Sequence, residues 1–581
     1  MADPEKNGVD QIEAVPVDTG ITRFEIDGDG LPPGYFRSAY FIGSMAAICL
    51  GFFGGVGGFA LAAPILSAIN EDIGPDPNIV WVALSFTLTS AVCITIVGRV
   101  SDIFGRRWVF IGGAICGVVG SIVCATAKDV TSLIAGTAII GIAASTQLSY
   151  FYVMGELVPM KHRFAANSMV YFFQIPANAL APVISDSFII YHPTVGWRGS
   201  YYLLVVVDSL ALICWVLFYH PPTFHMKHRN ESLLKYIKNF DYIGTTMYTG
   251  GLLILLMGLN WGGVSWPWSS ARVIATIVVG FVTLVIFVLW ETYMNLTEPL
   301  VPMVVFRNIP WNAATVLSGL GASIYYAFAI VWPQMVGTMY ADTTSPIATA
   351  WLSSVSGLGW VFGVISGGLV ARRVTHIKWQ CVLAISLGGL FFGLVATCNP
   401  DTRSRACAFV AIGSCFVGWT ESLAITAVTV TAYDQSELGS SGGVAGSIRY
   451  LITSIATTVY TVTLTNRQAQ EIPPRVTSAV EAAGLPPSSV AAFIKALSGG
   501  ASALDKVPGV TPRILAAGTR AYQEGNSSAF RTVFLSTIAF TGVALISALF
   551  LPDLEALMSN KVATTLGTEK ASDSETESPR Q

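Results

Sequence analysis

Long apolar stretches, separated by short polar links, run through most of the chain. They fall at 38–67, 79–99, 107–127, 131–156, 163–191, 198–219, 241–260, 271–291, 312–340, 346–371, 378–398, 404–431, 438–465 and 530–551. Each matches or exceeds the length of about 20 residues that a helix needs to cross a hydrocarbon core about 30 Å thick. The runs are continuous, without the two-residue alternation of a barrel strand, so the pattern predicts an all-α polytopic membrane protein of about fourteen spans. Three polar stretches stand apart: a tail over 1–37, a long link over 466–529, and a tail over 552–581 rich in Ser, Thr and Glu.

Composition agrees with that pattern. Only 12% of residues are charged, 53% are hydrophobic, and the mean hydropathy is +0.61. A soluble domain carries about 25% charged residues, so this chain lacks the charge to solvate a globular surface. The first 30 residues are polar and acidic, without the basic start and apolar core of a cleavable signal, and the first span is expected to serve as its own targeting signal. The nine cysteines show no metal-ligand spacing; Cys398 and Cys407 flank one short link and form the one pair that spacing leaves open to a disulfide.

Charge sorting sets an orientation. Alternate links carry Arg99, Arg106 and Arg107, then Lys161 and Arg163, then Lys227, Arg229, Lys235 and Lys238, then Arg307, then Arg372, Arg373 and Lys378. The intervening links hold Glu71, Asp72 and Asp76, Lys128 with Asp129, an uncharged stretch over 261–270, and Asp342. The Lys/Arg excess places the first set, and with an even span count both tails, in the cytosol. Link 466–529 then lies outside, where Asn526-Ser527-Ser528 is a glycosylation acceptor and stretches 476–503 and 512–524 are expected to form short helices over the outer mouth. The sequons at Asn230 and Asn295 fall on the cytosolic side and are expected to stay unmodified.

The link between the second and third runs reads Gly98-Arg99-Val100-Ser101-Asp102-Ile103-Phe104-Gly105-Arg106-Arg107. So much charge in so short a link cannot sit in hydrocarbon, so it tips a helical hairpin in water. The pattern resembles the signature loop of the major facilitator superfamily. That resemblance implies two six-helix bundles around a central chamber, with this loop acting as a conformational latch that does not touch cargo. A repeat should leave a second such loop, and Gly367-Gly368-Leu369-Val370-Ala371-Arg372-Arg373 keeps the glycines and arginines without the aspartate. Its register requires two extra helices between the halves. The expected layout is a cytosolic tail over 1–37, a six-helix bundle over 38–219 and a cytosolic loop over 220–240. Two linker helices over 241–291, a second bundle over 312–551 and a disordered tail over 552–581 complete it. No G-x-x-x-x-G-K-[ST] motif supports an ATP motor, no cofactor or metal is implied, and the reading is a transporter, not an enzyme.

Ionisable groups inside spans are costly and therefore functional candidates. Asp186 lies in the outer part of the fifth span after Pro182, a candidate bend, and Asp208 lies mid-depth in the sixth, capped by hydroxyls such as that of Ser209 if structural. Glu421 and Arg449 lie about ten and eleven residues from the same face on consecutive helices, at nearly equal depth, and are expected to pair. Such a pair is either a static lock or one released by protonation of Glu421; Asp208 is the alternative proton carrier. Gln147, Gln174 and Asn178 line the chamber or bond between helices, and Tyr325, Tyr326, Trp332 and Trp360 offer stackable walls or interfacial anchors.

Five further segments narrow the resemblance: Leu31–Ser38, Gly155-Glu156-Leu157-Val158-Pro159, Asn260-Trp261-Gly262-Gly263, Trp332-Pro333-Gln334 and Gly446-Ser447-Ile448-Arg449. Together they resemble the fungal trichothecene efflux pump family. This implies a monomeric, multi-pass, proton-driven exporter of a toxic small molecule or secondary metabolite in a fungal plasma membrane, or a vacuolar one, with no nucleic-acid partner. A siderophore–iron importer of the same superfamily is the alternative, and a non-transporting receptor the third class. Thr137 stands where superfamily antiporters carry an arginine, and the fifth-span antiporter motif survives only as small residues and Pro182, so the named acids would have to carry any proton.

Overall fold

The computed structural model describes residues 26–27, 34–221, 232–263, 265–341, 345–499, 507–558 and 561–562. Lys227, Arg229, Asn230, Asp342 and most of both tails lie outside the described residues. Among the described residues, twelve helical segments are long and apolar enough to cross a membrane. Two more helices fail that test for identifiable reasons: one is interrupted midway, and the other holds Arg449 and many Ser and Thr residues within its apolar run.

The first bundle comprises α1 (Ala39–Ala60), α2 (Trp81–Phe104), α3 (Arg106–Ala125), α4 (Val130–Gln147, continued by Tyr150–Leu157), α5 and α6 (Arg198–Phe218). Helix α5 is in two pieces, Arg163–Phe172 and Ala181–Tyr191. The break is a wide turn over Ile175–Ala179 in which Leu180 N donates to the Ile175 carbonyl, around Pro176. Pro182 was the expected bend. It sits instead in the first turn of the second piece, where a missing N–H leaves no orphan, and Pro176 occupies the break.

Two linker helices follow, α7 (Tyr242–Trp261) and α8 (Ala271–Tyr293). They pack on each other, and α7 leans on α2. The second bundle comprises α9 (Ile309–Met335), α10 (Val355–Val374, preceded by Pro346–Ser353), α11 (Ile377–Val395), α12 (Arg403–Val430), α13 (Leu438–Ala482) and α14 (Pro512–Leu549). Helix α7 also touches α13, so the linker pair straddles the seam between bundles.

The 466–529 segment carries helix in both expected stretches, but much of it is continuous with the flanking spans. Helix α13 does not stop near 465 but runs 45 residues straight through Pro473 and Pro474, and α14 begins at Pro512. Both project beyond the apolar spans and close, with helix Pro487–Gly499, on a small core of their own that includes Ile472, Val476, Val480, Phe493 and Ile514. Periodic apolar positions on those extensions have a partner to bury against, so helix outlasts membrane. Within this cap Asn526 is fully buried: its Oδ1 accepts from Gln468 Nε2 at 2.7 Å and its Nδ2 donates to the Tyr522 carbonyl at 2.9 Å. A glycan has no room there, which corrects the glycosylation expectation. Cys398 and Cys407 are both free thiols.

At the opposite face Ile26–Asp27 pairs antiparallel with Lys561–Val562, so the two tail segments meet on one side of the molecule.

Candidate functional site

The latch loop is built at a glycine contact. Gly98 on α2 faces Gly439 and Gly443 on α13 so closely that a Cβ on Gly98 would lie 2.9 Å from the Gly439 carbonyl carbon and 3.1 Å from the Gly443 Cα. That approach brings Asp102 onto the start of α13. Its Oδ2 accepts from Ser440 N at 2.5 Å and from Ser440 Oγ at 2.9 Å, while Oδ1 accepts from Arg106 Nη2 at 2.9 Å. The first amides of a helix lack partners within it and carry the positive end of its dipole, so a carboxylate is the complement they need. Arg106, itself buried, also contacts Glu156 on the continuation of α4, and Gly105 at φ 93° makes the tight turn that places it. Arg99 bridges Glu298 at 2.7 Å and Glu437 at 3.3 Å, and Arg107 Nη2 donates to the Val216 carbonyl at 3.0 Å. Burial pushes both of those glutamates above the ordinary carboxylate range, and Arg99 opposes it.

The second loop keeps the glycine contact but not the charge. A Cβ on Gly368 of α10 would lie 2.7 Å from the Phe164 carbonyl oxygen on α5 and 2.8 Å from Ser422 Oγ. Arg373 is exposed, and the chain turns through left-handed Thr375 and His376. Arg372 lies in α10. The two loops therefore follow equivalent α2–α13 and α10–α5 contacts, as the repeat register requires. Around them the bundles are joined by Asn167 Nδ2 to Thr426 Oγ1 (2.9 Å), Arg163 Nη1 to the Thr429 carbonyl (3.1 Å) and Thr95 Oγ1 with Ser447 Oγ (2.7 Å). The latch side is thus closed.

Deeper in the molecule, Arg449 Nη2 lies 2.6 Å from Glu421 Oε1, and Glu421 is fully buried. Its second oxygen has no partner among the described residues; it faces Gly321 on α9, where a Cβ would stand 2.5 Å away. Aromatic rings from both bundles surround this pair. Tyr150 donates to Tyr171 (2.8 Å), and Tyr171 meets the Trp360 ring edge-on. Trp360 stacks on Tyr325 at 4.5 Å, and Tyr326 packs against Phe59 and Tyr450. On the far side of this cluster a cleft of about 400 Å³ opens between Phe59, Asn178, Pro182, Tyr325, Pro333 and Ser356.

The other named residues divide. Asp208 and Gln147 form a pair away from the aromatic cluster, inside the first bundle: Gln147 Nε2 donates to Asp208 Oδ1 at 2.8 Å, seated against Gly54 and Gly117. Ser209 does not cap Asp208, because its hydroxyl bonds the Val205 carbonyl on its own helix. Gln174 is fully buried with neither amide atom partnered among the described residues. Asp186 is half-buried and unpartnered among the described residues. Trp332 does not join the aromatic cluster; it lies inside the second bundle, its indole donating to the Leu352 carbonyl at 2.8 Å. The chamber aromatics Phe59, Tyr150, Tyr171 and Tyr450, and the latch partners Glu298, Glu437 and Ser440, carry no spacing signal that would single them out. Glu156 stood within a quoted segment without a role.

Two bundles joined at the signature loop, with a charged aromatic cluster between them, define a major facilitator transporter. Among solved structures the chain resembles the proton:xylose symporter XylE (TM-score 0.53, 12% identity, covering 90% of this chain and all of that one) and the human organic anion transporter MFSD10 (TM-score 0.50, 13% identity, covering 88% and 100%). The family described as "Fungal trichothecene efflux pump (TRI12)" matches residues 4–578, and the chain belongs to that family. The trichothecene efflux pumps TRI12 of Trichoderma arundinaceum and Fusarium sporotrichioides are 27% and 28% identical to it, over 94% and 92% of this chain and 92% and 89% of theirs. The transporter prx5 of Penicillium rubens is 28% identical over 76% of this chain and 80% of its own length.

Proposed function

We propose that this protein exports a toxic or secondary-metabolite small molecule from a fungal cell in exchange for protons. It would work as a monomer in the plasma membrane with both tails in the cytosol and the α13–α14 cap outside. The observation that carries the reading is the aromatic chamber shared by both bundles and holding the buried Glu421–Arg449 pair. Stacked rings suit an apolar polycyclic cargo, and the pair offers it a polar foothold. Asn178, which lines the cleft and whose Oδ1 has no partner among the described residues, would bond a polar group of the cargo, and the unpartnered amide of Gln174 is a second candidate.

Cargo moves when the bundles rock about this chamber. In the conformation described, Asp102, Arg99, Arg106 and the glycine seam hold the latch side shut while the cleft beyond Tyr325 points the other way. Return requires those contacts to break, and a ligand shifts that equilibrium only by binding the two states unequally. Glu421 and Asp208 are the acids able to carry the coupled proton: the first beside the cargo, the second buried within the first bundle and hydrogen-bonded by Gln147.

The test is flux. Purified protein in liposomes, offered a labelled metabolite of the pathway encoded beside its gene, should accumulate it when a pH gradient is imposed and lose that uptake when the gradient is collapsed. Uptake indifferent to the gradient would overturn proton coupling; a deletion strain no more sensitive to the metabolite than its parent would overturn export.

A further inference from the structure

An open cleft, of about 580 Å³ when the space continuous with its surroundings is counted, lies apart from the chamber, between α7, α8, the 294–308 link and α13. Its wall includes Leu252, Leu284, Phe287, Met303, Phe306 and Leu451. The hydroxyls of Tyr248 and Ser447 also border it, yet both are taken by Thr95 on α2, at 2.9 and 2.7 Å, so the cavity presents hydrocarbon to whatever fills it. Tyr248, Val288 and Val444 each lie five or six residues from the latch-side ends of their helices, or about 9 Å in; Leu451 lies about 20 Å in. That interval of about 11 Å fits within the depth of one leaflet, about half of a core about 30 Å thick. Val288 and Phe306 at the rim are 46% and 40% exposed, so the mouth opens sideways into the bilayer.

The rim is cationic. Arg307 follows Phe306, is exposed, and has no ion-pair partner among the described residues. Phe240 bridges to Glu298, which brings the end of helix Leu233–Asn239 beside the same link. That short helix exposes Leu233, Leu234 and Ile237 alongside Lys235 and Lys238, the make-up of a segment lying in a membrane interface. Three acids lie near this rim: Glu298 is paired with Arg99, Glu291 turns inward to accept from the Leu300 and Val301 amides at 2.9 and 3.2 Å, and Asp241 accepts from Gly244 N and Trp290 Nε1 at 2.8 and 3.2 Å.

We propose that this cavity is a lipid site that takes one acyl chain of an anionic phospholipid from the latch-side leaflet, its phosphate held at the rim by Arg307 and Lys238. Because Tyr248 and Ser447 join α7 and α13 to α2, a seated chain backs the seam that the latch closes. The site depends on membrane insertion and not on cargo or proton coupling, so it stands or falls separately from them.

The full-length protein is reconstituted in phosphatidylcholine vesicles containing a trace of phosphatidylglycerol with a photoreactive acyl chain, and labelled peptides are identified by mass spectrometry. Labelling should fall on α7, α8 and α13 and exceed that from a photoreactive phosphatidylcholine. Val288→Trp, a change at an exposed rim position, should plug the mouth and abolish it. Arg307→Ala should lower it about fivefold, since one basic residue near a membrane surface contributes about 1 kcal/mol toward anionic lipid. Equal labelling by the two lipids, labelling unchanged in both variants, or labelling displaced by cargo alone would each overturn the assignment.

Discussion

The most consequential single contact is the Glu421–Arg449 pair. Taking both charges out of water is expensive, and the geometry returns that cost only while the two are together. Removing one partner from such a pair typically costs about 3–5 kcal/mol, whereas replacing both by neutral groups of similar size is often nearly neutral. Arg449→Met should therefore lower the thermal midpoint of the purified protein clearly, and the double variant Glu421→Gln/Arg449→Met should recover most of the loss. Equal midpoints for the two variants would count against a coupled pair. Gly321 belongs to the same argument, because it leaves Glu421 Oε2 its room. Gly321→Ala should perturb transport in the direction of Glu421→Gln, measured as uptake at fixed pH gradient.

Helices meet closely where glycine lets them, and the α2–α13 crossing is the clearest case. A methyl group at Gly98 would press on backbone, which cannot rotate away as a side chain can. Gly98→Ala should push the crossing apart, weaken the Asp102 cap on α13 and expose a cysteine placed at Ser440 to a water-soluble thiol reagent; unchanged labelling would contradict that role for the seam. The α13–α14 cap is tied to the link between α11 and α12 by exposed charge. Arg520 grips Asp401 through two hydrogen bonds of 2.8 and 2.6 Å, and these hold the Asp401 carboxyl below the ordinary carboxylate range. A lowered acid adds stability above its free value, and that contribution disappears as pH falls through the depressed value. Cap docking should accordingly hold at neutral pH and loosen in acid below the ordinary carboxylate range. Hydrogen exchange of the cap amides around Val476 and Val480 across pH would reveal it, and Asp401→Asn should remove the pH dependence.

The molecule as a whole is two six-helix bundles with a helix pair laid over their seam. The second bundle carries the outer cap as an extension of its own α13 and α14, so cap and bundle are expected to move as one body when the transporter rocks. The paired segments 26–27 and 561–562 lie on a single face, as an even number of crossings demands. Epitope tags on the two tails should be reached by antibody from the same side of sealed cells; one reached from each side would undo the span count and every depth argued from it.

Much of this was legible before any coordinates. Span number and all-helical class follow from run length, because hydrocarbon admits only segments that satisfy their own backbone. Charge density in a short link marked residues 98–107 as a hairpin tip in water, while their role as a latch came only from the family resemblance; the Glu421–Arg449 contact followed from matched depth on consecutive helices, since rise per residue converts sequence distance into height. What height cannot supply is azimuth. Gln147 and Asp208 turn toward each other inside one bundle, Trp332 turns inward, and Tyr150 and Tyr171 turn to the chamber, because the rotation of each helix is set by its neighbours. The same holds beyond the membrane. Read alone, the polar stretches beyond α13 and α14 suggest short separate helices; packed on each other they continue the spans as unbroken helix, and Asn526 is hidden there, by contacts between residues some sixty positions apart.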